Sequence, residues 1–228
     1  MGFDLSPLGI SLRTSLLAAV LIFVLGVLCA RLFLYARGWV KWLTDVVFTL
    51  PLVLPPTVVG FFLLVTVGKQ SPLGRLLARF DLSLIFTWQA TVVAAVVVAF
   101  PLMYRAAKGA FEQVDENLVW AARTLGMSER AIFLRVLVPG AWPGIAAGAV
   151  LSFARALGEF GATLMIAGNI PGRTQTIPIA IYFATAAGDM RTAGFWVAVI
   201  TVVSCAVLGV MNLFSARQAR RDRGEAVE

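Results

Sequence analysis

The chain has 228 residues, of which 60% are aliphatic or aromatic and only 14% charged, against about 45–50% apolar and about 25% charged in soluble domains. That balance excludes a soluble globular domain and predicts an all-α polytopic membrane protein. The net charge of +7 would point to nucleic acid in a soluble protein; here it reads first as a topology signal.

Apolar runs near the ~20 residues needed to cross about 30 Å of hydrocarbon lie at Ile10–Tyr35, Val46–Val67, Leu82–Met103, Pro143–Ala167 and Phe195–Phe214. Five spanning helices are expected. The first run has no basic segment before it and no small-residue cleavage site after it, so it is expected to stay as a mature helix. With the N-terminus outside and the C-terminus inside, twelve of the 19 Lys and Arg side chains fall on inner segments, six on outer ones and Arg155 on neither. The inner excess favours that orientation, although the outer Lys69–Arg79 segment is itself basic. Residues 11–214 then form the membrane domain. Residues 215–228, with the run ARQARRDRGE, form a basic cytoplasmic tail beside anionic lipid and need no nucleic-acid partner.

The second run contains LPLVLPPTVVG, with Pro51, Pro55, Pro56 and Gly60. Each proline removes a backbone donor and frees a carbonyl, so the helix is expected to bend there. Bending for packing is one reading; the other is that freed carbonyls and Thr57 line a polar cavity.

The longest inner segment, Tyr104–Val136, reads as a helix-turn-helix on the membrane surface. A short helix over Leu118–Leu125 is followed by a break at Gly126, a second helix capped by Ser128, and a bend at Pro139. Ala121 and Ala122 give the first helix a small-residue face that another surface can approach, with Arg123 and Arg130 keeping the other faces wet. An amphipathic helix lying on lipid is the competing reading.

In the fourth run, SFARALGEFGATLMIAG puts Arg155 and Glu159 inside an apolar helix. A charge at the centre of a lipid-facing helix costs about 2.5–3.5 kcal/mol, while an i,i+4 pair returns about 0.2–0.5 kcal/mol in an isolated aqueous helix. Counted from Pro143, Arg155 lies about 18 Å and Glu159 about 24 Å into the span, too deep to snorkel. Both are expected to face protein or a watery route, either as a helix-locking pair or as a site where Arg155 offers positive potential to an anion and Glu159 neutralises it at rest. After it, GNIPGRTQTIPIAIY forms an outer loop, and Ile177–Ala187 is too short to span.

The chain has no histidine, which removes the usual general base, the Ser-His-Asp arrangement and most zinc sites. VGKQS lacks the upstream glycine and the hydroxyl of a phosphate loop. Cys29 and Cys205 are isolated thiols with no metal-ligand spacing. No enzyme activity, metal site or cofactor is expected.

Ala121-Ala122, then Gly126, then nine residues and Val136-x-Val138-Pro139 resembles the cytoplasmic coupling loop of ABC-importer permeases, whose pattern is Glu-Ala-Ala, three residues, Gly, nine residues, Ile-x-Leu-Pro. Trp120 stands where that pattern has Glu. Together with LPLVLPPTVVG, SFARALGEFGAT and NIPGRTQTIP, the chain from Ser11 to Phe214 resembles the permease subunit of molybdate ABC transporters, relatives of sulfate permeases. The resemblance implies a multi-pass protein of the cell membrane, a homodimer bound to two cytoplasmic ATPase subunits and supplied by an external molybdate-binding protein. It makes Ala121, Ala122, Arg123, Gly126 and Pro139 the ATPase-coupling loop. On the residues alone, Arg155, Glu159, Thr57, Pro55 and Pro56 are candidates for the substrate pathway. Sulfate or tungstate permease, and an ion-coupled secondary transporter, are the alternatives.

Overall fold

The computed structural model describes residues 4–80 and 83–225, with side chains as far as residue 209, and among these it is helical without strands. Helix α1 (Ser6–Phe33) is followed by α2 (Gly38–Val53) and α3 (Pro56–Val67), which meet at an angle of 115°. A short α4 (Pro72–Ala78) precedes α5 (Trp88–Glu112). Then come α6 (Glu116–Thr124), α7 (Glu129–Ile132), a π-helical turn at Phe133–Leu137, α8 (Val138–Leu157), α9 (Gly161–Ala167), α10 (Ile177–Ala186) and α11 (Met190–Glu225). Among the described residues four helices are long and apolar enough to cross a membrane, or five if the bent α2–α3 pair counts as one span.

The expected bend in the second run is a full break. Leu54 still donates its amide to Leu50, but Pro55 and Pro56 have no amide hydrogen for the carbonyls of Pro51 and Leu52. Leu54 therefore leaves the helix with ψ 142° and Pro55 with ψ 136° before α3 restarts. The third span does not begin at Leu82, which lies outside the described residues; the helix starts at Trp88 and runs past Met103 to Glu112. The fourth departs most from expectation. One continuous helix starts at Glu129 rather than Pro143 and ends at Leu157, and Ala167 belongs to a separate short helix. Pro139 does not bend the chain sharply, because the wide turn just before it makes room for the ring, with Val138 donating to Phe133 instead.

Small residues set the spacing of the core. A Cβ at Gly26 would fall 2.5 Å from Met103, one at Gly144 would fall 2.6 Å from Ala110, and one at Gly148 would collide with Ala106. Ala18, Ile22 and Ala30 of α1, Ala95, Ala99, Met103 and Ala107 of α5, and Ala141 and Ile145 of α8 form one buried cluster. Such close backbone approach drives helix association where lipid is as apolar as the side chains. Deep in it Thr14 and Thr91 share a hydrogen bond of 2.8 Å, and the Trp88 indole donates to Thr14 at 2.9 Å, so each polar atom has a partner. A second cluster joins Val59 of α3, Ala90, Ala94 and Val98 of α5, and Ala162, Ile166 and Ala167 of α9.

These contacts fix depth. Gly140, Gly144 and Gly148 lie against Val114, Ala110 and Ala106, an antiparallel register that brings Arg155 level with about Ala99, near the middle of α5. Beyond the end of α8, α9 continues along the outer half of α5, where Phe86, at φ 60°, donates its amide to Ile166. Ile177–Ala186 is the expected short, non-spanning helix. Its first amide donates to Ser11 of α1. The backbone of α11 continues unbroken to Glu225, so the tail from residue 215 is not set apart by a loop; its side chains lie outside the described residues.

Candidate functional site

Arg155 occupies the last turn of α8, and Glu159 sits in the gap before α9. The pair expected from the sequence is present: Arg155 Nη1 donates to Glu159 Oε2 at 2.8 Å. Glu159 does a second job that spacing did not reveal. Its Oε1 accepts the amide of Ala162 at 2.8 Å, capping α9, whose N-cap residue Phe160 offers no side-chain acceptor. A carboxylate only 3% exposed is thus held by one cation and one backbone donor, the condition under which a buried charge is tolerated. The Arg155 side chain is 29% exposed and is the face of the pair open to the surroundings.

The proline break is brought to the same place. A Cβ on Gly161 would lie 3.2 Å from Pro56, from the Thr57 methyl and from the Thr57 amide. Gly60 sits equally close to Ala162 and Met165. Pro56, Thr57, Gly161 and Glu159 therefore converge, with Pro55 at the N-cap of α3, and the break after α2 faces the break after α8 at mid-depth. Two interrupted helices thus oppose each other in the middle of the bundle, with freed backbone groups beside one compensated cation. The glycines make this approach possible; a larger residue at Gly161 would separate the two breaks.

On the inner side the helix-turn-helix forms as expected. Asp115 and Ser128 cap α6 and α7 through the amides of Asn117 at 2.8 Å and Ala131 at 3.3 Å, and Gly126 takes φ 76°, which only glycine adopts cheaply. The small-residue face is a correction. Adjacent residues on a helix point about 100° apart, and here Ala122 is buried with Val119 while Ala121 is exposed. The outward surface carries Ala121, Leu118, Trp120 and Leu125 beside the polar Glu116, Asn117 and Thr124. Arg123 is not simply solvated. It donates to Glu129 at 2.8 Å and lies 5.0 Å from the Trp120 ring centroid, while Arg31 of α1 reaches the other Glu129 oxygen at 3.1 Å. Pro139 belongs to the first turn of α8 and not to this surface.

A cluster of three polar residues, Lys108, Asp45 and Tyr104, is not anticipated by the sequence pattern. Lys108, 7% exposed, donates to Asp45 Oδ1 at 2.5 Å, and Tyr104 donates to the same oxygen at 2.7 Å. Tyr104 and Lys108 share a face of α5 at i,i+4, but Asp45 is far from both in sequence, so no helical spacing brings it to them. The available signal was Asp45, a carboxylate at the very edge of the apolar run that starts at Val46. No group of His, Cys, Asp or Glu able to hold a metal occurs among the described residues.

The family of binding-protein-dependent transport system inner membrane components matches residues 22–221. The chain belongs to that family. This permease is 46% identical over 204 residues, 89% of its own length and 90% of the relative's, to YvgM of Bacillus subtilis (strain 168), whose name assigns it to a molybdenum transport system. It is 42% identical over 220 residues, 95% and 94% of the two chains, to the molybdenum transport system permease protein ModB of Escherichia coli (strain K12). Among solved structures, the MetNI methionine ABC transporter in an inward-facing conformation shares the permease's fold, with a TM-score of 0.73 at 17% identity, covering 92% of this chain and 94% of that one. The permease is accordingly a multi-pass inner membrane component of a transport system.

Proposed function

We propose that this permease forms the translocation pathway of an ATP-driven molybdate importer, oriented N-out and C-in. It works as a homodimer bound to two cytoplasmic ATPase subunits that hydrolyse the ATP and is supplied by an external molybdate-binding protein. The observation that carries the reading is the mid-depth cation Arg155, neutralised by Glu159 beside the opposed breaks of α2–α3 and α8–α9. A tetrahedral dianion needs positive potential to enter the low-dielectric interior, and a carboxylate already in contact with the cation keeps that potential from becoming a trap. The relatives named for molybdenum transport support the choice of anion.

Alternating access then exposes Arg155 to each side in turn, while α6 transmits the ATPase cycle through the outward Ala121, Trp120 and Leu125. The membrane domain is taken as residues 11–214 and the basic end from 215 as a cytoplasmic anchor. An ion-coupled secondary transporter is the poorer reading, because it leaves the capped α6–α7 turn and its exposed apolar residues without a role. The test is uptake by vesicles containing the whole complex and its binding protein, with molybdate, tungstate and sulfate in competition. Arg155→Ala is expected to lower uptake by at least about tenfold, the rate equivalent of 1.4 kcal/mol, with assembly and binding-protein docking intact. Normal uptake by an assembled Arg155→Ala complex overturns the assignment of Arg155.

A further inference from the structure

A cavity of about 670 Å³ lies between α2 and α5. Val53, at its upper end, closes α2 beside the Leu54–Pro55 break, so the cavity runs from just below that break toward the inner ends of both helices. Its lower walls carry Lys41, Arg105 and Lys108 against Asp45 and Glu112. Lys41 pairs with Glu112 at 3.6 Å and Lys108 with Asp45. Arg105 has no carboxylate within ion-pair distance among the described residues. The groove is therefore net positive.

We infer that this groove is the inward leg of the oxyanion's route, with Lys108, compensated by Asp45, as a second cationic station below Arg155. The inference rests on the proposed function and extends it. Both stations match one cation with one carboxylate, and a second donor anchors that carboxylate: the Ala162 amide for Glu159 and the Tyr104 hydroxyl for Asp45. At the upper station the cation is the more exposed partner, at the lower one the carboxylate is. Asp45 sits in the groove wall with its side chain 37% exposed, so an anion in the groove can approach Lys108 as the carboxylate swings aside. On the α5 register the two stations are about 13 Å apart along the helix, and Arg105 continues the positive surface beyond the apolar upper wall of Leu50 and Val53.

A plain latch between α2 and α5 is the competing account, since α2 has no fully buried residue of its own. A latch needs only the hydrogen bonds, whereas an anion station needs the cation, and this separates the two by experiment.

In the complete complex, with Cys29→Ala and Cys205→Ala as background, Thr49→Cys places one thiol in the groove wall. A sulfonate-bearing thiol reagent applied from the cytoplasmic side is expected to label it on the order of tenfold faster than a trimethylammonium one, relative to their rates on free thiol. Excess molybdate slows that labelling, and Lys108→Gln abolishes the preference. In uptake assays Asp45→Asn lowers both KM and turnover, because the anion is held by an uncompensated lysine. The neutral pair Asp45→Asn/Lys108→Gln keeps hydrogen bonding yet loses uptake. An unreactive thiol, equal labelling by the two reagents, or full uptake by the neutral pair overturns the inference while wild-type molybdate uptake in the same vesicles leaves the proposed function standing. If the wild-type complex takes up no oxyanion, the proposed function fails and the inference with it.

Discussion

Replacing Glu159 by Gln separates its two jobs, because the amide oxygen still accepts from Ala162 while Arg155 loses its counter-charge. The Arg155 bond to a charged acceptor contributes about 1.5–3 kcal/mol and is lost, because the amide nitrogen now facing the arginine donates and cannot accept; with solvent returning part at the exposed arginine, the exchange costs about 1–2 kcal/mol. Breaking a fully buried pair costs about 3–5 kcal/mol, but Arg155 is 29% exposed and solvent offsets part of that. For a chain of this length about 1–2 kcal/mol lowers Tm by about 2–8 °C, measurable by melting the assembled complex in lipid nanodiscs. Function moves with it: the uncompensated arginine holds molybdate more tightly, so KM and turnover in vesicle uptake fall together, by about 5–30-fold for the same free energy. Glu159→Ala removes the α9 cap as well and costs about 1 kcal/mol more. A Glu159→Gln complex that melts and transports like wild type, or one whose KM rises at unchanged turnover, refutes the compensation argument.

Gly126→Pro cannot adopt φ 76°, since proline fixes φ near −65°; the ATPase subunits are expected to co-purify poorly or to hydrolyse ATP without transport, read by pull-down and coupled assay. Gly148→Val drives a side chain into Ala106 and is expected to cost about 1–3 kcal/mol by overpacking, whereas Gly109→Ala, inside α5 with open space around it, raises the melting temperature slightly, since alanine is about 0.5–1 kcal/mol better than glycine in a helix interior. At the start of α11 the Thr192 hydroxyl and amide hold the Asp189 carboxyl below its ordinary value of 3.8. That contribution is complete above the ordinary value and is lost as pH falls through the depressed one, so Asp189→Asn should flatten the acid limb of the melting profile and leave stability near neutral pH almost unchanged in its pH dependence.

The sequence made the helix interruptions legible to different degrees. Pro55 and Pro56 announce a break because the missing amides are written in the residue names, and the structure supplies only its 115° angle. The break at Gly158–Phe160 was hidden inside an apolar run, since one glycine does not end a membrane helix; what ends it is Glu159 turning back to cap Ala162, a contact invisible to hydropathy. Arg155 and Glu159 were readable as a pair because they share a helix face at i,i+4. Lys108 and Asp45 were not, because α2 and α5 are distant in sequence and their register depends on the whole bundle. Ala121 and Ala122 show the same limit at smaller scale. Their size reads directly, but only packing against Val119 and the core decides which one faces outward.

The distribution of contacts also ranks the spans by how cheaply they can move. Helices α5 and α8 meet through Gly144 and Gly148 at distances that admit no side chain, so sliding them forfeits dispersion along their whole length and opens voids that nothing fills. Helix α2 has no fully buried residue. It is tied to α5 by Asp45 on Lys108 and Tyr104, by Lys41 on Glu112, and by Phe48, whose ring meets Phe100 and Tyr104 edge-on at 5.3 and 5.1 Å. Its upper end is the Leu54–Pro55 break, where Pro55 and Pro56 leave no amide to bond back to Pro51 or Leu52. Rotation of α2 about that point stretches two ion pairs, which water or an anion can replace, and the ring contacts of Phe48, whereas rotation of α8 would uncap α9 and open the core. A hinge belongs where the backbone ladder is already interrupted and few packed contacts are lost. The α2–α3 break meets both conditions, next to the Arg155–Glu159 pair.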